Sequence, residues 1–148
     1  MAKKLNIVKL EKDKLDACVD LFIETFSKAP WNDVYESRNQ VVTFFENHMD
    51  NNYFVGYVGI IDDEVVALSV GMKKPWINGM EYYIDEFCVS TKWQGQGIGS
   101  VFISLIEADI KAQGMNGMML NTEKNYPSRT FYEKNGFSVI EDLIILVK

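Results

Sequence analysis

Apolar residues change period several times along the chain, and each change marks an element. Leu5 to Leu10 alternates, with Leu5 and Ile7 on one side and Asn6, Val8 and Leu10 on the other, which predicts a first strand. From Leu15 the spacing lengthens. Leu15, Cys18, Val19, Phe22, Ile23 and Phe26 recur at three and four, giving an amphipathic helix with Asp13 or a neighbour at its cap. Lys28-Ala29-Pro30-Trp31 ends it, because the residue before a proline disfavours the helical region. A second helix is predicted from about Val34 to Met49, with Val41, Val42, Phe44 and Phe45 on its apolar side and Asp33 near its start.

Tyr53 to Ile61 and Val65 to Met72 are β-rich runs separated by Asp62-Asp63-Glu64, which predicts a hairpin. Asn78-Gly79 offers the next turn, before a strand over Glu81 to Val89, and the three strands make an antiparallel meander. Val101, Phe102, Leu105, Ile106, Ala108 and Ile110 then hold a helical period that Gly114 stops. Met118 to Leu120 reads as a short buried strand, and Pro127 to Asn135 as a short helix opened by Pro127 and closed by Gly136. Phe137 to Ile140 and Leu143 to Val147 close the chain as strands. The expected order is β-α-α-β-β-β-α-β-α-β plus a last strand: an α/β (α+β) fold with a mixed sheet, in a single domain over residues 1–148.

Composition narrows the partners more than the fold. The chain has 148 residues, 47% hydrophobic and 24% charged, enough for a sizeable core. A formal net charge of −6 argues against a nucleic-acid or anionic-membrane partner, since a binder of phosphate backbones needs a basic face. No run of 18 apolar residues exists, and the Met1-Ala2-Lys3-Lys4 start leads into a strand pattern, so a cytoplasmic protein is expected. Cys18 and Cys88 each fall in an apolar pattern, which favours buried thiols over a disulfide. With one histidine and no cysteine cluster, no metal site is expected. A Ser-His-Asp triad would have to use His48, at the end of a surface helix.

The chemistry gathers around Gln94-Gly95-Gln96-Gly97-Ile98-Gly99-Ser100, between an apolar strand and a helix. Three glycines at the mouth of a helix leave backbone N–H groups bare at the positive end of the helix dipole, a site for phosphate oxygens. No lysine follows as a Walker loop requires, and G-x-G-x-G is not the Rossmann spacing. By itself the stretch reads equally as an anion cradle or as a tight turn that needs small residues.

Its surroundings decide between these. Phe87-Cys88-Val89, then Gln94-x-x-Gly97-x-Gly99, the long helix, Leu120-Asn121-Thr122 and the block Asn125 to Phe137 follow one another in order. The loop resembles R/Q-x-x-G-x-G/A, and the last block resembles N-x-x-A/S-x-x-L/F-Y-x-K-x-G-F. Both are motifs of the GNAT family of N-acetyltransferases, with a likeness to its aminoglycoside N-acetyltransferase members. The motifs cover residues 53 to 148, while the first 50 agree only in the order of elements.

The resemblance implies a mostly antiparallel mixed sheet, splayed where acetyl-CoA binds. Backbone at Phe87, Cys88 and Val89 would hydrogen-bond the pantetheine arm as an added strand does. Gln94, Gly95, Gln96, Gly97, Ile98, Gly99 and Ser100 would cradle the diphosphate, and Asn121, Asn125 and Ser128 would line the cofactor. Asn125 reads otherwise as a helix cap. Tyr132 is implied as general acid toward the leaving thiolate, its other reading being a packing residue.

A base must take the proton of the attacking ammonium. Strict alternation puts Asp85 on the side of Tyr83, Phe87 and Val89, and Glu86 on the other with Cys88. Asp85 matches the position of an Asp or Glu in polyamine and aminoglycoside acetyltransferases, and Ile84-Asp85-Glu86 resembles the Ile-Asp-Gln of aminoglycoside 6'-N-acetyltransferases. Asp85 is the first choice and Glu86 the second, since a bulge would invert the parity. The acceptor is implied to enter beside Trp31, Tyr35, Tyr83 and Asp85, where rings beside acids suit an organic cation. The expected activity is acetyl transfer from acetyl-CoA to a primary amine of a small acceptor, by direct transfer in a ternary complex. The alternatives are an acyl-CoA-binding sensor, an interaction module, or an enzyme of peptide amino termini. A homodimer is open, with Leu143 to Val147 as an edge.

Overall fold

The computed structural model describes residues 3–148; Met1 and Ala2, the first half of the Met1-Ala2-Lys3-Lys4 start, lie outside the described residues. The elements run β1 (Asn6–Lys9), a 3-10 turn (Lys12–Lys14), α1 (Leu15–Phe26), α2 (Arg38–Met49), β2 (Phe54–Ile61), β3 (Glu64–Trp76), β4 (Gly79–Val89), α3 (Ile98–Ala112), β5 (Met118–Leu120) and α4 (Pro127–Lys134). The five strands lie in sequence order in one sheet. The first four pair antiparallel, and β5 joins β4 in parallel, so the expected mixed sheet forms.

The sheet separates two apolar layers. Leu10, Cys18, Val19, Leu21, Phe22, Phe26, Val41, Phe45, Val58, Leu68, Val70 and Cys88 pack beneath α1 and α2. Phe102, Ile103, Ile106 and Ile110 of α3 pack on the other face against Val66, Ala67, Tyr82 and Ile84. Tyr57 fixes α3 on that face: its hydroxyl donates to Asp109 at 2.6 Å, and Lys9 Nζ lies 3.2 Å from the same carboxylate. These contacts hold Asp109 below the usual carboxylate range, the Tyr57 hydrogen bond foremost.

Several boundaries move for local reasons. The second helix begins at Arg38 rather than Val34, because Ser37 caps it by accepting from Gln40 N at 3.2 Å while the Gln40 side chain accepts from Glu36 N at 2.8 Å. Asp33 is instead tied back to α1, its N–H donating to the Phe26 carbonyl at 2.8 Å. The first helix has no side-chain cap, so Asp13 does not fill that role. The strand that was expected to stop at Met72 runs on to Trp76, paired throughout with β4. Cys18 and Cys88 are buried free thiols, as their apolar settings suggested.

The largest departure is at the end of the chain. Phe137 to Ile140 and Leu143 to Val147 form no strands, and the apolar residues from Val139 to Val147 are exposed. The outer edge of β5 is free, but the segment does not pair with it, so its strand composition is left without a ladder.

Candidate active site

The site is built around an irregularity in β4. Gly71 pairs with Ile84 and Val70 with Glu86, so Asp85 is an extra residue bulged out of the ladder. Glycine at 71 permits this, because a Cβ there would overlap the Tyr83 carbonyl oxygen. The bulge inverts the parity of everything beyond it. Tyr82 and Ile84 lie in the α3 layer, and so, three residues later, do Phe87 and Val89, while Cys88 belongs to the α1/α2 layer. Asp85 therefore does not share a side with Phe87 and Val89, as unbroken alternation would require. Both Asp85 and Glu86 look toward α1 and α2.

At the same point β4 loses its other neighbour. β5 pairs only with Tyr82, Tyr83 and Ile84, so the backbone edge from Asp85 to Val89 is open on that side. The loop beyond the strand completes the opening. Gln94 Nε2 donates to the Val89 carbonyl at 2.9 Å, and Gln96 Nε2 to the Lys92 carbonyl at 3.3 Å, so both glutamines brace the turn. Gly95 and Gly97 are left-handed, with φ of 76° and 80°, and nothing lies within 4 Å of where a Cβ would stand on either. Gly97 caps α3 without a side chain, leaving the first-turn N–H groups of Ile98, Gly99 and Ser100 facing that space. The glycines are thus unequal. A Cβ on Gly99 would come within 2.9 Å of the Phe131 ring, so Gly99 serves packing of α3 against α4.

Helix α4 closes the α3 side. Tyr132 is buried, its ring 6.0 Å from Phe87, 5.2 Å from Phe131 and 5.4 Å from Phe137 between centroids. Burial first, then Cys88 and Glu86, raise its phenol above the ordinary range, so it keeps its proton at neutral pH. Asn121 Nδ2 donates to the Tyr83 hydroxyl at 2.6 Å, and the Thr122 and Ser128 hydroxyls share a hydrogen bond of 2.7 Å. Asn125 is exposed and is not the cap of α4, whose N-cap is Tyr126, without a side-chain bond.

Across the gap lies an acidic, aromatic group. Trp31 packs edge-on against Phe26 at 5.0 Å and against Tyr126 at 6.3 Å, so it bridges α1 to the loop before α4. The Tyr35 hydroxyl donates to Asp33 at 3.4 Å, and its ring sits 5.9 Å from Phe22. Burial, Asp33, Glu86 and Cys88 push the Tyr35 phenol up to about 12. Glu86 is pushed up to about 8, chiefly by burial and then by Asp85 and Asp33. Its charged form lacks a cation. Asp85 Oδ2 is 2.7 Å from His48 Nε2, an encounter that the sequence reading missed by setting His48 aside as a surface residue. No local signal could reveal it, since the two are 37 residues apart. Among the described residues no cluster of His, Cys, Asp and Glu could hold a metal ion, and no helix is long and apolar enough to cross a membrane.

A parted strand edge, bare N–H groups at a helix mouth and a buried phenol on α4 are parts that an acyl-CoA-dependent acyltransferase would need. A model of the acetyltransferase (GNAT) family matches residues 15–137, and the chain belongs to that family, as an N-acetyltransferase that uses acetyl-CoA. Solved structures agree in fold. An aminoglycoside N-acetyltransferase AAC(6')-Iy in complex with CoA is 14% identical, with a TM-score of 0.77 over 100% of this chain and 97% of its own. An aminoglycoside acetyltransferase from an uncultured soil metagenomic sample, in complex with sisomicin, is 18% identical, with a TM-score of 0.75 over 97% of this chain and 95% of its own. A ribosomal-protein-alanine N-acetyltransferase from Brucella melitensis is 14% identical, with a TM-score of 0.76 over 98% of this chain and 100% of its own.

Proposed function

We propose that this enzyme acetylates a primary amine of a small cationic acceptor, such as a polyamine or an aminoglycoside, by direct transfer in a ternary complex. The observation that carries this reading is Glu86, a half-buried carboxyl whose charged form is disfavoured by desolvation and by the like charges of Asp85 and Asp33. A cation entering there would favour ionisation of Glu86 and be held by all three acids, with Tyr35, Tyr83 and Trp31 supplying ring faces. Cys88 offers no reactive thiolate for a covalent intermediate, for burial raises its thiol well above the ordinary range.

The open mouth over Gly95 and Gly97 fits a diphosphate, and the free edge of β4 fits an extended amide chain. Acetyl-CoA, when bound, supplies the activated acyl thioester and the leaving thiol. In this reading the N–H groups of Ile98, Gly99 and Ser100 hold the diphosphate. Phe87, Cys88 and Val89 hold the arm by backbone, and Asn121, Asn125 and Ser128 flank it. Asp85 takes the proton of the acceptor ammonium, and Glu86 anchors the amine as a counter-charge. Tyr132, protonated at neutral pH, donates to the departing sulfur.

The similarity to a ribosomal-protein-alanine N-acetyltransferase keeps a peptide amino terminus as the second reading. A thiol-release assay separates them: acetyl-CoA is offered with spermidine, sisomicin, free amino acids and an alanine-terminated peptide. Faster release with spermidine or sisomicin supports the first reading, and release with the peptide alone replaces it by the second. The same enzyme is proposed to be a homodimer. The exposed apolar segment from Val139 to Val147 and the outer edge of β5, the last strand of the sheet, are complementary surfaces that pairing would cover.

A further inference from the structure

We propose that His48 is a positioning residue for acetyl transfer, holding one oxygen of the Asp85 carboxylate so that the other is presented to the acceptor amine. This rests on the reading of Asp85 as the group that receives the amine proton.

The geometry is specific. Asp85 sits at a bulge, outside the β3–β4 ladder, so its side-chain direction is not set by the sheet alone. His48 lies in the last turn of α2, and its Nε2 meets Asp85 Oδ2 at 2.7 Å. The imidazole is itself fixed: its ring packs edge-on against Phe44, one helical turn earlier, at 4.8 Å between centroids. Phe44 in turn touches Phe22 and Phe45 at 5.6 Å and 5.8 Å, within the α1/α2 layer. A chain of packed rings thus runs from the core to the carboxylate.

The donor and acceptor roles follow from chemistry. An ionised carboxylate can only accept, so in this pair His48 donates through Nε2–H. Oδ2 is then engaged and Oδ1 remains for the amine. Without the imidazole the carboxylate of a bulged residue turns freely, and an incoming ammonium meets a mixture of orientations. That loss should appear in turnover rather than in cofactor affinity.

The test compares His48→Ala, His48→Gln, Asp85→Asn and the double variant His48→Ala/Asp85→Asn, with spermidine and sisomicin as acceptor probes. Thermal melting checks that each variant is folded. His48→Ala is expected to lower kcat by about tenfold, the worth of one hydrogen bond to a charged group, with the KM for acetyl-CoA unchanged. His48→Gln, whose amide nitrogen can reach the same oxygen, should restore most of the loss. In the double variant His48→Ala should add nothing to the effect of Asp85→Asn. Independent losses that multiply, or a glutamine no better than alanine, would overturn the proposal. His48 is the chain's single histidine, so its ring signals in a spectrum of histidine-labelled protein need no assignment. Spermidine should move them in the wild type and leave them unmoved in Asp85→Asn. Spermidine acetylated with no change at the His48 ring also overturns the inference. Full turnover in Asp85→Asn, or no thiol release with either probe, removes the underlying reading of the site and the inference with it. Loss in Asp85→Asn beside an unaffected His48→Ala removes the inference alone.

Discussion

The two halves of the site are made of different material. On the cofactor half, the helix mouth at residues 97–100 and the edge of β4 present mostly backbone, and the side chains that matter most there are absent ones, at Gly95 and Gly97. On the half proposed for the acceptor, recognition would fall to side chains: Asp33, Tyr35, His48, Asp85 and Glu86 come from α2, the loop before it and a bulged strand. A backbone site is rigid and suits one invariant ligand. A side-chain site can be rewritten one residue at a time, which suits an enzyme whose relatives acetylate different amines. The acceptor half also holds a half-buried carboxyl, Glu86, beside the like charges of Asp85 and Asp33.

Four variants test that contrast. Asp85→Asn removes the proposed base and should lower kcat by about a hundredfold, with the KM for acetyl-CoA unchanged in steady-state kinetics. A variant turning over at the wild-type rate would show that the acceptor half works without that carboxylate. Glu86→Gln probes the strain. Since the folded pKa of Glu86 is raised to about 8 from 4.5, the folded protein holds this proton more tightly than the unfolded chain. Stability is therefore fullest below about pH 4.5 and is lost as pH rises toward 8. Glutamine mimics the neutral form, so thermal melts should show the variant ahead of the wild type by on the order of 2 kcal/mol near pH 7, with the gap closing toward pH 5. Parallel melting curves across that range would refute the half-buried, charge-opposed carboxyl.

The next effect belongs to the cofactor half. Gly97→Val places a branched side chain at a φ of 80° over the helix mouth. It should weaken CoA binding by about tenfold or more in calorimetry, roughly the loss of one or two hydrogen bonds to a charged group. Unchanged affinity would mean that the mouth is not the diphosphate site. Gly99→Ala should do least to function. Its new methyl meets the Phe131 ring, which can shift, so a stability loss of about 1 kcal/mol is expected with CoA affinity preserved. A collapse of affinity without a change in melting would make Gly99 part of the cradle instead.

Legibility in the sequence divides along the same line. The loop from Gln94 to Ser100 could be read because its function is local: adjacent glycines and a helix start are consecutive in the chain. Met118 to Leu120 was found with its own boundaries for the same reason, as a short apolar run between polar stretches. The bulge at Asp85 could be named only as a condition on the choice between Asp85 and Glu86. It depends on how Gly71, on another strand, lies against Tyr83. Tyr132 was placed by a motif, but the rings around it and the carboxyl that it senses come from other elements.

The last strands show the opposite failure. Leu143 to Val147 has strand composition, and composition specifies willingness to pair without supplying a partner. By itself the sequence determined the alternation of helices and strands, the glycine mouth and the family's two motifs, because each depends on residues close together in the chain. Only the tertiary structure decided which way Asp85 and Glu86 face and that His48 meets Asp85. It also decided that Glu86 is half-buried among like charges and that the C-terminal segment leaves the outer edge of β5 unpaired. Those are properties of distance and solvent access between remote residues, which chain order does not encode locally.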